Sequence, residues 1–322
     1  MANPIPSFEE IQAAHQRIAG QINRTPIFTN KTINEIVNAE LFFKCENFQK
    51  TGSFKFRGAS NAISLLTDEQ AKNGVGTHSS GNHAAALALA AKNKGIESYI
   101  VMPRTSNPIK KRAVENYKAH ITYCEPTLDA REETFREIEK MTNATFVHPY
   151  NNENVICGQA TAAKELLEEQ PDLDAVICPV GGGGLTSGTC IATKNMNKEI
   201  KVYAAEPKMA DDAYRSFKQG FLIPVDRPNT IADGLLTSLS PLTFKIISEY
   251  LDDVFTTKEE TIVHAMRLIW ERMKIIAEPS AAVPLASIID NRFFFKSKKI
   301  GVIISGGNID LNNLPFTEKN QL

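Results

Sequence analysis

The sequence predicts an α/β protein built from mostly parallel, twisted sheets flanked by helices. Strand-like apolar runs and helical runs alternate along nearly the whole chain, the pattern of parallel strands joined by helical crossovers. One apolar run, Ala175 to Cys178, leads into four glycines and then a helical stretch from Leu185 to about Lys194. The length of 322 residues suffices to bury a sizeable core, in two domains or one large one.

The elements follow in chain order. Ser7-Phe8-Glu9-Glu10 is a capping box that opens a helix; Phe8, Ile11, His15 and Ile18 share its face and Gly20 stops it. Leu41–Glu46 reads as a strand, followed by a helix around Lys55. A short run, Gly74 to His78, precedes an Ala/Leu-rich helix that ends near Asn93. Further strands are predicted at Ser98–Met102, Ile121–Cys124 and Thr145–His148, with helices between them at Pro108–Tyr117 and Leu128–Met141. A helix over Glu153–Glu168 precedes the glycine-loop strand, and Val202 to Ala205 reads as another strand. Helices at Glu259–Lys274 and Pro279–Asp290 come before a last strand that starts at Gly301. No internal repeat or low-complexity linker interrupts the pattern.

Composition excludes several function classes. With 36 basic and 37 acidic residues the net charge is −1, and no nucleic-acid footprint is visible. No apolar run approaches the ~20 residues of a membrane span. Met1 to Ile11 lacks a cationic region followed by an apolar one, so no signal peptide is visible. The five cysteines, Cys45, Cys124, Cys157, Cys178 and Cys190, lack Cys-x-x-Cys spacing and read as reduced core residues of a cytoplasmic protein. The six histidines show no metal-ligand spacing and read as structural or solvent-facing.

Four stretches carry chemistry. In Thr51-Gly52-Ser53-Phe54-Lys55-Phe56-Arg57-Gly58-Ala59 a lysine lies between two aromatics. Apolar neighbours disfavour the charged ammonium and free the amine, as a Schiff-base lysine requires; an ordinary solvated lysine is the plain alternative. In Cys178-Pro179-Val180-Gly181-Gly182-Gly183-Gly184-Leu185 the glycines let backbone N–H groups turn toward a phosphate at a helix N-terminus. A nucleotide P-loop would need a lysine after Gly188, where Thr189 and Cys190 stand. A dinucleotide fingerprint would need a third glycine where Thr186 or Ser187 stands, although Glu206 ends a strand about where a ribose-binding acid would lie. A flexible turn is the remaining option. Ser79-Ser80-Gly81-Asn82-His83-Ala84 offers either a capped helix or pocket-facing polar groups. Gly301-Val302-Ile303-Ile304-Ser305-Gly306-Gly307-Asn308 delivers a serine to a glycine turn, or is a plain strand end.

Taken together, FFKCENFQKTGSFKFRGA, SSGNHA, GGGGL, the acidic run Glu206-Pro207-Lys208-Met209-Ala210-Asp211-Asp212, IADG and SGGN, in that order from about residue 40 to 308, resemble the fold-type II pyridoxal-phosphate enzymes. The group in question holds the serine racemases and the serine/threonine dehydratases. The resemblance implies a tryptophan synthase β-like fold, with a large cofactor-binding domain from 1–76 and 152–322 and a small inserted domain at 77–151. It implies that Lys55 holds pyridoxal 5′-phosphate as a Schiff base and then acts as base at the substrate α-carbon. Gly181, Gly182, Gly183, Gly184 and Leu185 would hold the cofactor phosphate, Asn82 its phenolic oxygen, and Ser305 its pyridine nitrogen. Phe54 would pack on the ring and Gly234 would line the pocket. Ser79, Ser80, His83 and Arg131 would face the substrate, Arg131 near its carboxylate; a helix-surface arginine is the plain alternative.

Ser80 separates the activities. Racemases of the family carry serine there, on the cofactor face opposite the lysine, whereas many threonine dehydratases carry alanine. The hydroxyaspartate dehydratases resemble the racemases at this residue, so Ser80 does not choose the substrate; the resemblance as a whole favours serine racemisation with elimination of water to pyruvate and ammonia, with a threonine/serine or 3-hydroxyaspartate dehydratase as the alternative. A non-catalytic nucleotide- or cofactor-binding protein is the reading from another class. Glu206, Asp212 and the Ala210 carbonyl match the family's site for Mg²⁺, Ca²⁺ or Mn²⁺, all oxygen donors; an acidic helix start would look the same. ATP activation is an expectation carried by Lys50 and Thr51, while Asn30-Lys31-Thr32 departs from the serine-rich stretch of the family. The resemblance also implies a homodimer.

Overall fold

The computed structural model describes residues 4–79, 81–106 and 108–316. α1 (Phe8–Ile18) starts with the expected box: the Glu10 amide donates to Ser7 Oγ and the Ser7 amide to the Glu10 carboxylate. A short β1 (Ile27–Phe28) and α2 (Lys31–Val37) lead to β2 (Glu40–Cys45). α3 (Lys55–Ser64) and α4 (Asp68–Asn73) follow. Next come β3 (Val75–His78), α5 (Asn82–Asn93), β4 (Ser98–Pro103), α6 (Pro108–Asn116), β5 (His120–Cys124), α7 (Leu128–Thr142) and β6 (Thr145–Phe146). The chain continues through α8 (Glu153–Glu169), β7 (Ala175–Pro179), α9 (Gly184–Met196), β8 (Lys201–Pro207), α10 (Asp212–Gln219), α11 (Pro241–Tyr250) and β9 (Asp253–Thr257). It ends with α12 (Glu259–Leu268), α13 (Pro279–Asp290), α14 (Arg292–Phe295) and β10 (Lys299–Ile304).

Two sheets result. The larger has the order β1-β2-β10-β7-β8-β9 and the smaller β5-β4-β3-β6. Every pairing is parallel except β1 with β2. The central β7, and β10 from Ile300 onward, are apolar and buried, as strands covered on both faces must be. One core lies on each face of the larger sheet, and a third packs β3 and β4 against α3 and α5.

Close helix packing fixes the site's frame. A Cβ at Gly58 of α3 would come within 2.7 Å of the Val155 carbonyl, and one at Gly158 of α8 within 2.5 Å of the Arg57 carbonyl. On the other side of α8, a Cβ at Gly188 of α9 would meet the Ala160 amide at 2.8 Å. α8 is thus clamped between α3 and α9, so Lys55 and the glycine loop are held by one helix.

The structure departs from the predicted elements at several points. The strand expected over Thr145–His148 stops at Phe146, and the helix expected over Glu259–Lys274 gives way to a π-turn at Ile269–Met273 with Lys274 left-handed. α2, α4, α10, α11 and β9 lie where no element was predicted. β9 is a five-residue edge strand, too short for alternation to reveal. Among the described residues no helix is long and apolar enough to cross a membrane. All five cysteines are buried and unpaired, as predicted.

Candidate active site

A buried ionic cluster anchors α3. Arg57 is fully buried; its guanidinium donates Nε and Nη2 to the two Glu46 oxygens at 2.7 and 2.8 Å, and Nη1 and Nη2 to those of Glu165, both at 2.8 Å. Lys44 Nζ completes it, donating to Glu165 and to the Thr25 carbonyl, both at 2.7 Å. Buried charges persist only when paired and hydrogen-bonded throughout. The cluster joins β2, α3 and α8 two residues from Lys55, and nothing in the sequence pattern announces it.

Lys55 starts α3 and is half-buried. Its Nζ donates to the Pro149 carbonyl at 3.0 Å and lies 5.1 Å from the centre of the Phe54 ring. Burial lowers its pKa to about 8, so an appreciable share of amine is free near neutral pH. The desolvation predicted from two aromatic neighbours is present, although Phe56 is committed to the core. Asn308 and the end of β10 hold the preceding turn. The Phe54 amide donates to the Ser305 carbonyl at 3.0 Å, Ser53 bridges to Gly306, and Asn308 Nδ2 donates to the Thr51 carbonyl at 2.7 Å. Ser305, predicted from a sequence 250 residues away, is buried beside Phe54 and Lys55.

The stretch before α5 overturns the capped-helix alternative. Gly81 is the N-cap and no side chain caps the helix. Asn82 instead donates Nδ2 to Glu278 Oε1 at 2.7 Å and accepts from Asn308 Nδ2 at 2.9 Å. The Gly81 amide donates to Ser79 Oγ at 3.4 Å. Ser80 lies outside the described residues.

The glycine loop fits a phosphate. Gly183, with φ of +85°, is the N-cap of α9, and no side chain caps that helix either. Its first amides are therefore open to an anion. A Cβ at Gly182 would sit 2.4 Å from the Tyr150 ring, and one at Gly181 3.0 Å from Leu235 Cα, beside the Gly234 carbonyl. The Gly234 amide is fixed by Ser280 Oγ at 3.0 Å. Ser187 Oγ, in the first turn of α9, is buried with no hydrogen-bond partner. A desolvated amine, an uncapped glycine-lined helix start and an orphaned hydroxyl together suit pyridoxal phosphate.

Two histidines lie within electrostatic reach of the lysine: His83, expected to face the substrate, and His148, expected to be structural or solvent-facing. His83 Nε2 donates to the Val147 carbonyl at 3.0 Å; burial and the Lys55 charge hold its pKa down to about 3. His148 Nδ1 accepts from the Tyr150 and Asn151 amides at 3.2 and 2.8 Å, and burial, His78 and Lys55 lower its pKa to about 3. Both are neutral, and the accepted bonds place the His148 proton on Nε2. His148 was missed because the expected strand ran through it, and Pro149 and Tyr150, just past its end, because no motif marks them. Arg131 Nε donates to the Thr127 carbonyl of its own helix at 3.2 Å, yet its charge reaches His78 and Tyr150.

Glu206, Ala210 and Asp212 are all buried. The Glu206 oxygens accept from the Ala213 and Tyr214 amides at 3.0 and 2.9 Å, which ties the residue to the start of α10 rather than to a ribose site. Neither Asp212 oxygen has a hydrogen-bond partner in normal geometry. Burial pushes its carboxyl up to about 7, the nearby amides only softening this, and burial with Asp212 raises Glu206 well above the usual range. An orphaned buried carboxylate beside another suits a hard cation. No group of three His, Cys, Asp or Glu side chains able to hold a metal occurs among the described residues.

The family described as pyridoxal-phosphate dependent enzyme matches residues 18–306. The β-hydroxyaspartate dehydratase of Paracoccus denitrificans (strain Pd 1222) is 52% identical over 97% of this chain and 99% of its own. The crystal structure of serine racemase from Dictyostelium discoideum is similar at 50% identity and a TM-score of 0.91, covering 96% of this chain and 100% of its own. Maize serine racemase superimposes with a TM-score of 0.94 at 44% identity, over 96% of this chain and 95% of its own.

Proposed function

The chain belongs to the pyridoxal-phosphate dependent enzymes, and on that premise we propose that it racemises serine and eliminates water from it to give pyruvate and ammonia. The observation that carries the proposal is Lys55, an amine with a pKa of about 8 beside the Phe54 ring, on a turn bonded to the Ser305 carbonyl. The 50% identity to a serine racemase supports the substrate.

Bound pyridoxal phosphate supplies an electron sink for the pair left when the α-proton departs. Gly181 to Leu185 bind its phosphate through the open amides of α9, Asn82 holds its phenolic oxygen, and Phe54 packs against its ring. The Ser305 hydroxyl offers the pyridine nitrogen a neutral partner, which suits short-lived carbanions. Gly234 forms backbone wall. Lys55 takes the α-proton on its own face, and Ser80 serves the opposite face. Ser79, His83 and Arg131 line the substrate's side, Arg131 for the carboxylate. Glu206, the Ala210 carbonyl and Asp212 hold Mg²⁺, Ca²⁺ or Mn²⁺ away from the chemistry, where the cation relieves two buried carboxylates. An ATP site at Lys50 and Thr51 has weaker support, since Lys50 Nζ is already bonded to the Gln21 carbonyl at 2.5 Å. The division into a large domain (1–76 and 152–322) and a small one (77–151), the homodimer and the cytoplasmic location belong to the same reading and rest on the resemblance.

The test is chiral analysis of serine beside a pyruvate assay, for wild type and Ser80→Ala. Loss of racemisation by about 10²–10⁴-fold, with elimination from L-serine surviving, is expected. Equal loss of both activities removes Ser80 as a proton carrier. The second reading, a 3-hydroxyaspartate dehydratase, is favoured by the 52% identity to the Paracoccus enzyme; 3-hydroxyaspartate consumed much faster than serine establishes it instead.

A further inference from the structure

Lys110 lies on α6, beside the smaller sheet, and its side chain is 5% exposed. Its Nζ donates to Asp233 Oδ2 at 2.6 Å and lies 3.9 Å from Glu278 Oε2. Both acids come from elements packed on the larger sheet. Asp233 begins the turn that carries Gly234, and Glu278 precedes α13. The same lysine reaches Gly81: a Cβ there would lie 3.6 Å from its Cδ and 3.7 Å from its Nζ. Glu278 in turn holds Asn82 through Oε1, while its Oε2 has no hydrogen-bond partner.

We propose that Lys110 is a positioning residue that ties the Gly81 end of the substrate-facing stretch to the Asp233 turn and Glu278, holding the two walls of the site together around bound substrate. This rests on the proposed amino-acid site. Glu278 is 2% exposed, and the charged groups that face it are Lys110 from α6 and Asp233 from the turn. Asn82 from α5 and the Asn308 amide face it uncharged. Asp233 is nearly half exposed and keeps much of its hydration, so it needs the lysine less. Among the described residues Lys110 is the one cation within ion-pair distance of Glu278. A buried carboxylate that loses its only cation goes neutral. Burial pushes Glu278 up to about 7 even with Lys110 docked, and further when Lys110 withdraws. Docking therefore releases a proton near neutrality, and it strengthens as pH rises through 7.

The test compares the holoenzyme with Lys110→Met, Lys110→Arg and the milder Asp233→Asn. Lys110→Met is expected to raise the KM for L-serine about tenfold, the size of one charged hydrogen bond, with kcat nearly unchanged and the cofactor absorbance band intact. Lys110→Arg restores most of it, and Asp233→Asn gives a smaller rise in the same direction. Wild-type KM falls between pH 6 and 8, and Lys110→Met abolishes that slope. Hydrogen–deuterium exchange of amides 81–86, read without turnover, speeds up in Lys110→Met. A wild type that binds the cofactor yet ignores serine refutes the substrate reading alone, because the exchange result still judges Lys110. Unchanged exchange together with an unchanged KM overturns the proposal. So does a fall of kcat and melting temperature in step, with no rescue by arginine.

Discussion

Lys55→Met replaces the buried ammonium by an apolar side chain of similar length. In the cofactor-stripped protein the wild-type amine falls from its usual 10.5 to about 8, and such a shift corresponds to about 3 kcal/mol against the charged form. Lys55 is only half-buried, and the substitution also deletes its bond to the Pro149 carbonyl. A net gain of roughly 2 kcal/mol for the variant remains after allowing for solvent screening and a lost hydrogen bond. The sign follows from proton counts. Between pH 8 and 10.5 the folded wild type binds fewer protons at Lys55 than the unfolded chain, so wild-type stability rises with pH through that window. The penalty is full below pH 8 and absent above 10.5, and Lys55→Met never carries it. Differential scanning calorimetry of both stripped proteins at pH 7 should place the variant about 3 °C higher, and the gap should shrink markedly by pH 10. The variant should also lack the visible absorbance band of lysine-bound cofactor. A variant no more stable than wild type at pH 7, or a gap that ignores pH, refutes the desolvation argument for Lys55.

Two further outcomes are expected. Magnesium at about 100 times its dissociation constant should stabilise wild type by about 2.7 kcal/mol, chelator should reverse this, and Asp212→Asn should respond to neither; identical melting curves in all conditions remove the cation assignment. Gly182→Ala drives a methyl into the Tyr150 ring, 2.4 Å from where it would lie. Overpacking of this kind costs about 1–3 kcal/mol, so a tenfold or greater loss of pyridoxal-phosphate affinity is expected by absorbance titration. Unaltered affinity would mean that the ring moves without disturbing the loop.

The sequence by itself determined the parts of this protein whose physics is local. Hydrophobic periodicity placed most strands and long helices, because side-chain direction repeats every two residues or every 3.6. The capping box at Ser7 and the glycine run at 181–184 were legible because a turn of backbone dictates the residues it accepts. Lys55 was legible through its aromatic neighbours, and the order of its accompanying motifs gave the family. Only the tertiary structure decided what charge and polarity do across distance. Arg57 reads in the sequence as an ordinary helix cation, yet it is buried between Glu46 and Glu165. Asn82 reads as a cap and is instead oriented by Glu278 and Asn308. His148 and Lys110 read as ordinary polar residues until folding sets the first near Lys55 and the second against Asp233. Such partners lie tens to hundreds of residues apart, and an ionisable group changes character only when burial removes water and a distant segment supplies the countercharge.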